Sequence, residues 1–132
     1  MERTLMIIKP DAVAAKHIGE IVARVEKEGF AISGLRFLHL SKQQAEEFYA
    51  IHKERPFYGD LVRYMTRGPV VVGRLERDGA VDHWRTVIGA TDPLKSAPGT
   101  IRKLYGTNIE ANAVHGSDSP ENGIRETDFF FA

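Results

Sequence analysis

Four consecutive apolar residues, Leu5-Met6-Ile7-Ile8, run straight into Lys9-Pro10, and this junction constrains the fold more than any other stretch. A short continuous apolar run reads as a buried strand. Pro10 has no amide proton and disfavours helical dihedrals in the residue before it, so the strand stops there. The chain of 132 residues is long enough to bury such a strand in one domain over 1–132 without metal or disulfide staples. No repeat, low-complexity tract or long linker interrupts it. The sequence has no cysteine, which excludes thiol chemistry, disulfides and cysteine-ligated zinc.

Ile18, Ile21, Val22 and Val25 follow helical spacing, and Gly29 supplies a C-terminal stop. Phe30 to Leu40 reads as a long second strand whose alternation slips around Phe37-Leu38, the mark of a bulge. Ser41 and Gln44 form a capping box for a helix with the apolar face Ala45, Phe48, Tyr49 and His52. A short helix carries Leu61, Val62 and Met65. The third strand, Pro69 to Glu76, sets Val70, Val72, Arg74 and Glu76 on one face and Val71, Gly73 and Leu75 on the other. A helix near Ala80 to Ile88, a Pro/Gly-rich loop and a final helix and strand follow. Strands mixed with helices that cover one sheet face predict an α+β sandwich.

Eighteen basic residues balance eighteen acidic ones, which argues against nucleic acid as the main partner. No apolar run approaches membrane-spanning length, and Met1-Glu2-Arg3-Thr4 lacks a signal-peptide layout. The expectation is a soluble cytoplasmic protein without a membrane partner.

Candidate chemistry centres on Asn112-Ala113-Val114-His115-Gly116-Ser117-Asp118-Ser119. Imidazole is a nucleophile near neutral pH, so a ring held in one tautomer can accept a transferable group. Gly116 is expected to leave space beside the ring, and Ser117 offers a hydroxyl. Ser119, Pro120 and Glu121 read as the start of a helix whose first amides lie near His115. Lys9, Arg85 and Arg102 stand beside turns, as phosphoryl transfer requires of cations that position a substrate and offset its charge. Each has a plainer alternative: a solvated lysine at a strand end, a helix-surface arginine, a surface ion pair. Phe57 follows Arg55-Pro56 at a loop end, where an exposed aromatic suits stacking on a nucleobase.

The chain resembles the nucleoside diphosphate kinases along nearly its whole length. The matching words are Ile8-Lys9-Pro10-Asp11, Phe48-Tyr49, His52-Lys53-Glu54-Arg55-Pro56-Phe57, Gly68-Pro69-Val70-Val71, Gly89-Ala90-Thr91, Gly99-Thr100-Ile101-Arg102 and the His115 octapeptide. The resemblance implies a ferredoxin-like fold, a four-stranded antiparallel sheet with helices packed on it. It further implies ping-pong transfer of the γ-phosphoryl group from a nucleoside triphosphate to a nucleoside diphosphate through a phosphohistidine at His115, with Mg2+ on the nucleotide phosphates.

By the same resemblance, Lys9 contacts phosphate and ribose, Arg85, Thr91 and Arg102 converge on the β and γ phosphates, and Asn112 bonds the ribose hydroxyls. Phe57 and Ile109 sandwich the base, with Leu61 lining the cleft. Glu126 accepts a hydrogen bond from the ring nitrogen that is not phosphorylated, Ser117 supports that arrangement, and Tyr49 reaches toward His115. His52 is placed either at phosphate or as a satisfied boundary histidine. A homo-oligomer is implied, with a dimer expected and tetramer or hexamer open, because family members usually continue beyond the equivalent of Ala132 with a segment that helps subunits pack.

Some positions depart from the family pattern. Ala12 replaces a commoner glycine. Asp92 replaces the usual asparagine and either weakens phosphate binding or caps a turn. Arg74 and Arg77 add charge to the third strand, and Asn122-Gly123 puts two poor helix formers before Glu126. The alternative readings are a catalytically silent nucleotide-binding module and a nucleic-acid binder on the same fold.

Overall fold

The computed structural model describes residues 1–131. Strand β1 (Glu2–Ile8) lies inside a four-stranded sheet of order β2-β3-β1-β4, with β2 at Ala31–Leu38, β3 at Val70–Arg77 and β4 at Val114–His115. All neighbouring strands are antiparallel. Between them run α1 (Pro10–Ala14), α2 (Ile18–Lys27), α3 (Lys42–Phe48), α4 (Tyr58–Thr66), α5 (Ala80–Ile88) and α6 (Ile101–Tyr105); α7 (Pro120–Phe131) follows β4. This order and these directions are those of the expected ferredoxin-like α+β sandwich.

Helices cover both faces of the sheet, where the sequence reading placed them on one. Met6, Ile8, Val71 and Leu75 pack with Ile21 and Val25 of α2 and with Trp84 and Ile88 of α5. Leu5, Ile7, Val70 and Val72 pack on the other side with Phe48 of α3, Met65 of α4 and Phe130 of α7. The reason is already present in the apolar run Leu5–Ile8: successive side chains point to opposite faces, so each face needs its own cover. Gly123 is what lets α7 supply it. A Cβ at that position would stand 2.2 Å from the Arg3 carbonyl oxygen, so α7 remains continuous through Asn122-Gly123 and lies directly on β1.

The bulge in β2 falls at Ser33, between the pairs Ile32↔Leu75 and Gly34↔Arg74, rather than at Phe37-Leu38. Arg74 stabilises it by donating from Nε to Ser33 Oγ and from Nη2 to the Ser33 carbonyl. The exposure of Phe37 comes instead from its place on an edge strand. Both halves of the Ser41–Gln44 capping box form. Helix α3 ends at Phe48, however, so Tyr49 is its C-cap and His52 lies in a separate 3₁₀ turn, Ala50–His52, off the helical face assigned to it. Among the described residues no helix is long and apolar enough to cross a membrane.

Candidate active site

His115 ends β4 opposite Ile7 of β1. Its Nε2 lies 2.8 Å from Glu126 Oε1, and the same oxygen accepts from Ser117 Oγ at 2.8 Å. Ser117 is fixed in turn by β1, since the Leu5 amide donates to its Oγ at 3.0 Å and its own amide donates to Thr4 Oγ1 at 3.2 Å. Burial pushes the Glu126 carboxyl up, but the hydrogen bond and charge of His115, then Ser117 and Arg125, outweigh it and hold Glu126 below its ordinary value. A carboxylate only accepts, so His115 carries its proton on Nε2 and leaves the Nδ1 lone pair free.

The elements beneath this arrangement follow from local sequence. Ser119 caps α7, its Oγ accepting from the Asn122 amide at 3.1 Å, and the helix then carries Glu126 back over β1 to His115. The Trp84 indole donates to the His115 carbonyl at 3.1 Å. Gly116 makes room for that indole: a Cβ there would meet Trp84 Cδ1 at 2.8 Å.

A second group gathers cations. Lys9 Nζ donates to Asn112 Oδ1 at 2.7 Å, and Asn112 Nδ2 donates to the Thr91 carbonyl at 3.0 Å. Arg102 donates to the carbonyls of Gly89 and Val114, while its Nε is buried without a partner. Burial and the charge of Arg102 pull the Lys9 ammonium down to about 8. Burial and the neighbouring Arg85 likewise lower Arg102. Arg85 is exposed on α5, and its side chain makes no hydrogen bond or ion pair among the described residues. Like charges are thus held close at a point where only a polyanion would satisfy them all. Asp92 caps its turn, Oδ1 accepting from the Leu94 amide at 3.0 Å.

The remaining candidates are more dispersed. Phe57 and Ile109 are exposed, and Leu61 packs partly against the second core. His52 has Phe57 as its ring neighbour, at 5.5 Å. Tyr49 is buried edge-on against Phe48 at 4.8 Å, and burial with the nearby Glu126 charge raises its phenol. Among the described residues no hydrogen bond joins Tyr49 to His115. The aromatic ring that meets the imidazole is Phe48, edge-on at 5.9 Å. The sequence reading assigned no site role to Phe48, Trp84, Thr4 or Asp11, although Phe48 and Asp11 sit inside the matching words.

A histidine with one nitrogen pinned to a carboxylate and the other free, near buried cations, defines the class: a site suited to moving an anionic group by way of the ring. The comparisons with known proteins agree. A family model described as "Nucleoside diphosphate kinase" matches residues 2–132. The nucleoside diphosphate kinase of Sorangium cellulosum is 54% identical over 132 residues, covering 100% of this chain and 92% of its own length. That of Coxiella burnetii is 55% identical over 131 residues, covering 99% and 94%. Among solved structures, the Aquifex aeolicus enzyme superposes with TM-score 0.97 at 44% identity, covering 99% of this chain and 95% of that one. The Halobacterium salinarum enzyme, solved in complex with CDP, gives 0.93 at 40%, covering 98% and 87%. The chain belongs to the nucleoside diphosphate kinase family, phosphotransferases that move the terminal phosphoryl group of a nucleoside triphosphate onto a nucleoside diphosphate.

Proposed function

We propose that His115 is the phosphoryl carrier of a two-step shuttle, a reading carried by the 2.8 Å contact of its Nε2 with Glu126. The free Nδ1 lone pair attacks the γ-phosphorus in line, the bond from that phosphorus to the bridging oxygen breaks, and the diphosphate leaves with the electron pair. Because Nδ1 bears no proton, no general base is needed. Glu126 stabilises the positive ring that forms, and Ser117 keeps Glu126 in place. A second diphosphate enters the same cleft and the steps reverse.

Lys9, Arg85, Arg102 and the Thr91 hydroxyl offset charge on the phosphates, and Asn112, already bonded to Lys9, orients the ribose. Phe57, Ile109 and Leu61 border the base, and their exposed or half-buried apolar surface supports that assignment. Tyr49 supports the site through Phe48, against which it packs, and His52 serves as a boundary residue beside Phe57. The side chains at the cation group suit a phosphate chain and not a bare divalent ion. Mg2+ would therefore come with the nucleotide, and its charge would help neutralise the phosphates that Lys9, Arg85 and Arg102 face. A single domain over 1–132, a homo-oligomer and a cytoplasmic location complete the proposal.

The full constellation of His115, Glu126 and the cations disfavours a silent nucleotide-binding module, and net neutrality disfavours a nucleic-acid binder. The test is intact mass after mixing with ATP and magnesium, followed by GDP. One acid-labile phosphoryl group, absent in His115→Ala and discharged to GTP, is expected. Folded protein that forms neither phosphoenzyme nor GTP would overturn the reading.

A further inference from the structure

Ala113 is fully buried and has φ of +75°, a left-handed conformation that a side chain adopts only at a cost. It lies between Asn112, which holds Lys9, and the Val114-His115 strand. Its carbonyl accepts from the Lys9 amide at 2.8 Å. Its own amide donates to Asp11 Oδ2 at 3.0 Å, and Asp11 Oδ1 accepts from the Tyr64 hydroxyl at 2.6 Å. Tyr64 is buried in α4, so the phenol approaches Asp11 from a rigid element. Asp11 lies in the first turn of α1, where a carboxylate ordinarily serves the helix terminus. Here both of its oxygens are instead committed to the strained loop and to α4.

We propose that Asp11 and Tyr64 are positioning residues for phosphoryl transfer, a two-member strut that clamps Ala113 in its left-handed conformation and thereby sets the distance between His115 and the Lys9–Asn112 pair. Neither touches the reacting atoms. Without the carboxylate, Ala113 relaxes toward negative φ, the Asn112 peptide turns, and ring and phosphate-binding groups lose their register. A misplacement of about 1 Å costs as much as about 100-fold in rate. The proposal rests on the reading of His115 as carrier.

The test is the single-turnover rate of phosphoenzyme formation, read by quenched intact mass at saturating ATP and magnesium, with thermal melting run alongside. Asp11→Asn keeps the shape but loses one acceptor, and about 30-fold slower phosphorylation is expected. Tyr64→Phe keeps the core volume and loosens the strut from its far end; about 5-fold is expected. The discriminating variant is Asp11→Asn with Ala113→Gly. Glycine adopts φ of +75° without strain, so the double variant should recover most of the lost rate, although removal of a buried methyl leaves its melting temperature no higher than that of Asp11→Asn. Recovery of rate without recovery of stability is something a merely structural aspartate would not show. Asp11→Asn and Tyr64→Phe enzymes that melt earlier yet phosphorylate at the wild-type rate would overturn the proposal, as would a double variant no faster than Asp11→Asn. Wild-type protein that gains no phosphoryl group at His115 would instead overturn the carrier reading, and this proposal with it.

Discussion

The two sides of His115 are built on opposite principles. On the α7 side, Glu126, Ser117, Thr4 and the Leu5 amide form a buried network in which each polar group has a partner. On the other side, Lys9, Arg102 and Arg85 press like charges together, Arg102 Nε is unpartnered, and Lys9 is pulled well below its ordinary value. The first side is complete before substrate arrives and fixes the His115 ring, the nucleophile of the proposed shuttle. The second is incomplete without an anion, so the folded apo protein carries a repulsion that phosphates relieve. Orientation is settled during folding, and affinity is held in reserve.

Breaking the complete side has the largest consequence. Glu126→Ala frees the Nε2 proton and strands the Ser117 hydroxyl, and the ring loses its single tautomer. Phosphoenzyme formation at saturating ATP should slow by about 100-fold, the cost of misplacing the attacking group by about 1 Å. The melting temperature should also fall. If the rate is unchanged, the network is structural only.

On the incomplete side the two effects should part. Arg85 holds nothing in the apo protein, so Arg85→Ala should leave the melting temperature unchanged while kcat/KM falls about 10- to 100-fold, the loss of one charged hydrogen bond in the transition state. A variant that lowers stability as much as activity would put Arg85 on the same footing as Glu126 and erase the comparison.

Lys9 connects this contrast to pH. Folding lowers its pKa from 10.5 to about 8, so below pH about 8 the buried ammonium costs stability in full. Between pH 8 and 10.5 the unfolded chain binds more protons, and this group's contribution to stability rises with pH. Phosphate binding, as proposed for Lys9, runs the other way, because it needs the charge. Nucleotide affinity should weaken above pH about 8 by up to about tenfold per unit from this group while apo stability gains; Lys9→Met should flatten both trends. Titrating nucleotide binding and melting across pH 7–10 checks the opposed signs.

How much of this was legible in the sequence depended on how far each interaction reaches along the chain. The Ser41–Gln44 capping box, the Gly29 stop, α5 at Ala80–Ile88 and the strand ending at Pro10 are local, and they stand where residue chemistry placed them. The need for a second helical layer was written in Leu5–Ile8, but the part of it that α7 supplies was not legible, because it depends on Gly123 meeting the Arg3 carbonyl from the far end of the chain. The close approach of Trp84 to Gly116 was out of reach for the same reason, since the indole comes from a helix distant in the chain. At the site, the resemblance to the family pointed to His115, Glu126 and Ser117 together, and the fold brings the three into contact. Asp11 was in plain view within Lys9-Pro10-Asp11, yet its use became visible only through the positive φ of Ala113. Composition and periodicity do not encode strain.

The smallest expected effect sharpens the comparison most finely. Asp92 puts a negative charge beside Thr91, whose carbonyl steadies Asn112 on the incomplete side, and it also caps the 3₁₀ turn Pro93–Lys95 through the Leu94 amide. Asparagine caps about as well as aspartate, so Asp92→Asn keeps the turn and removes only the charge. Stability should stay within about 0.5 kcal/mol. Nucleoside triphosphate affinity should rise about twofold at low salt and converge on the wild-type value as salt screens the difference. Asp92→Ala separates the contributions, since it removes the charge and the cap together and should cost about 1 kcal/mol of stability. If Asp92→Asn binds no better at low salt, the aspartate belongs to the turn alone, and the charge imbalance on that side is confined to Lys9, Arg85 and Arg102.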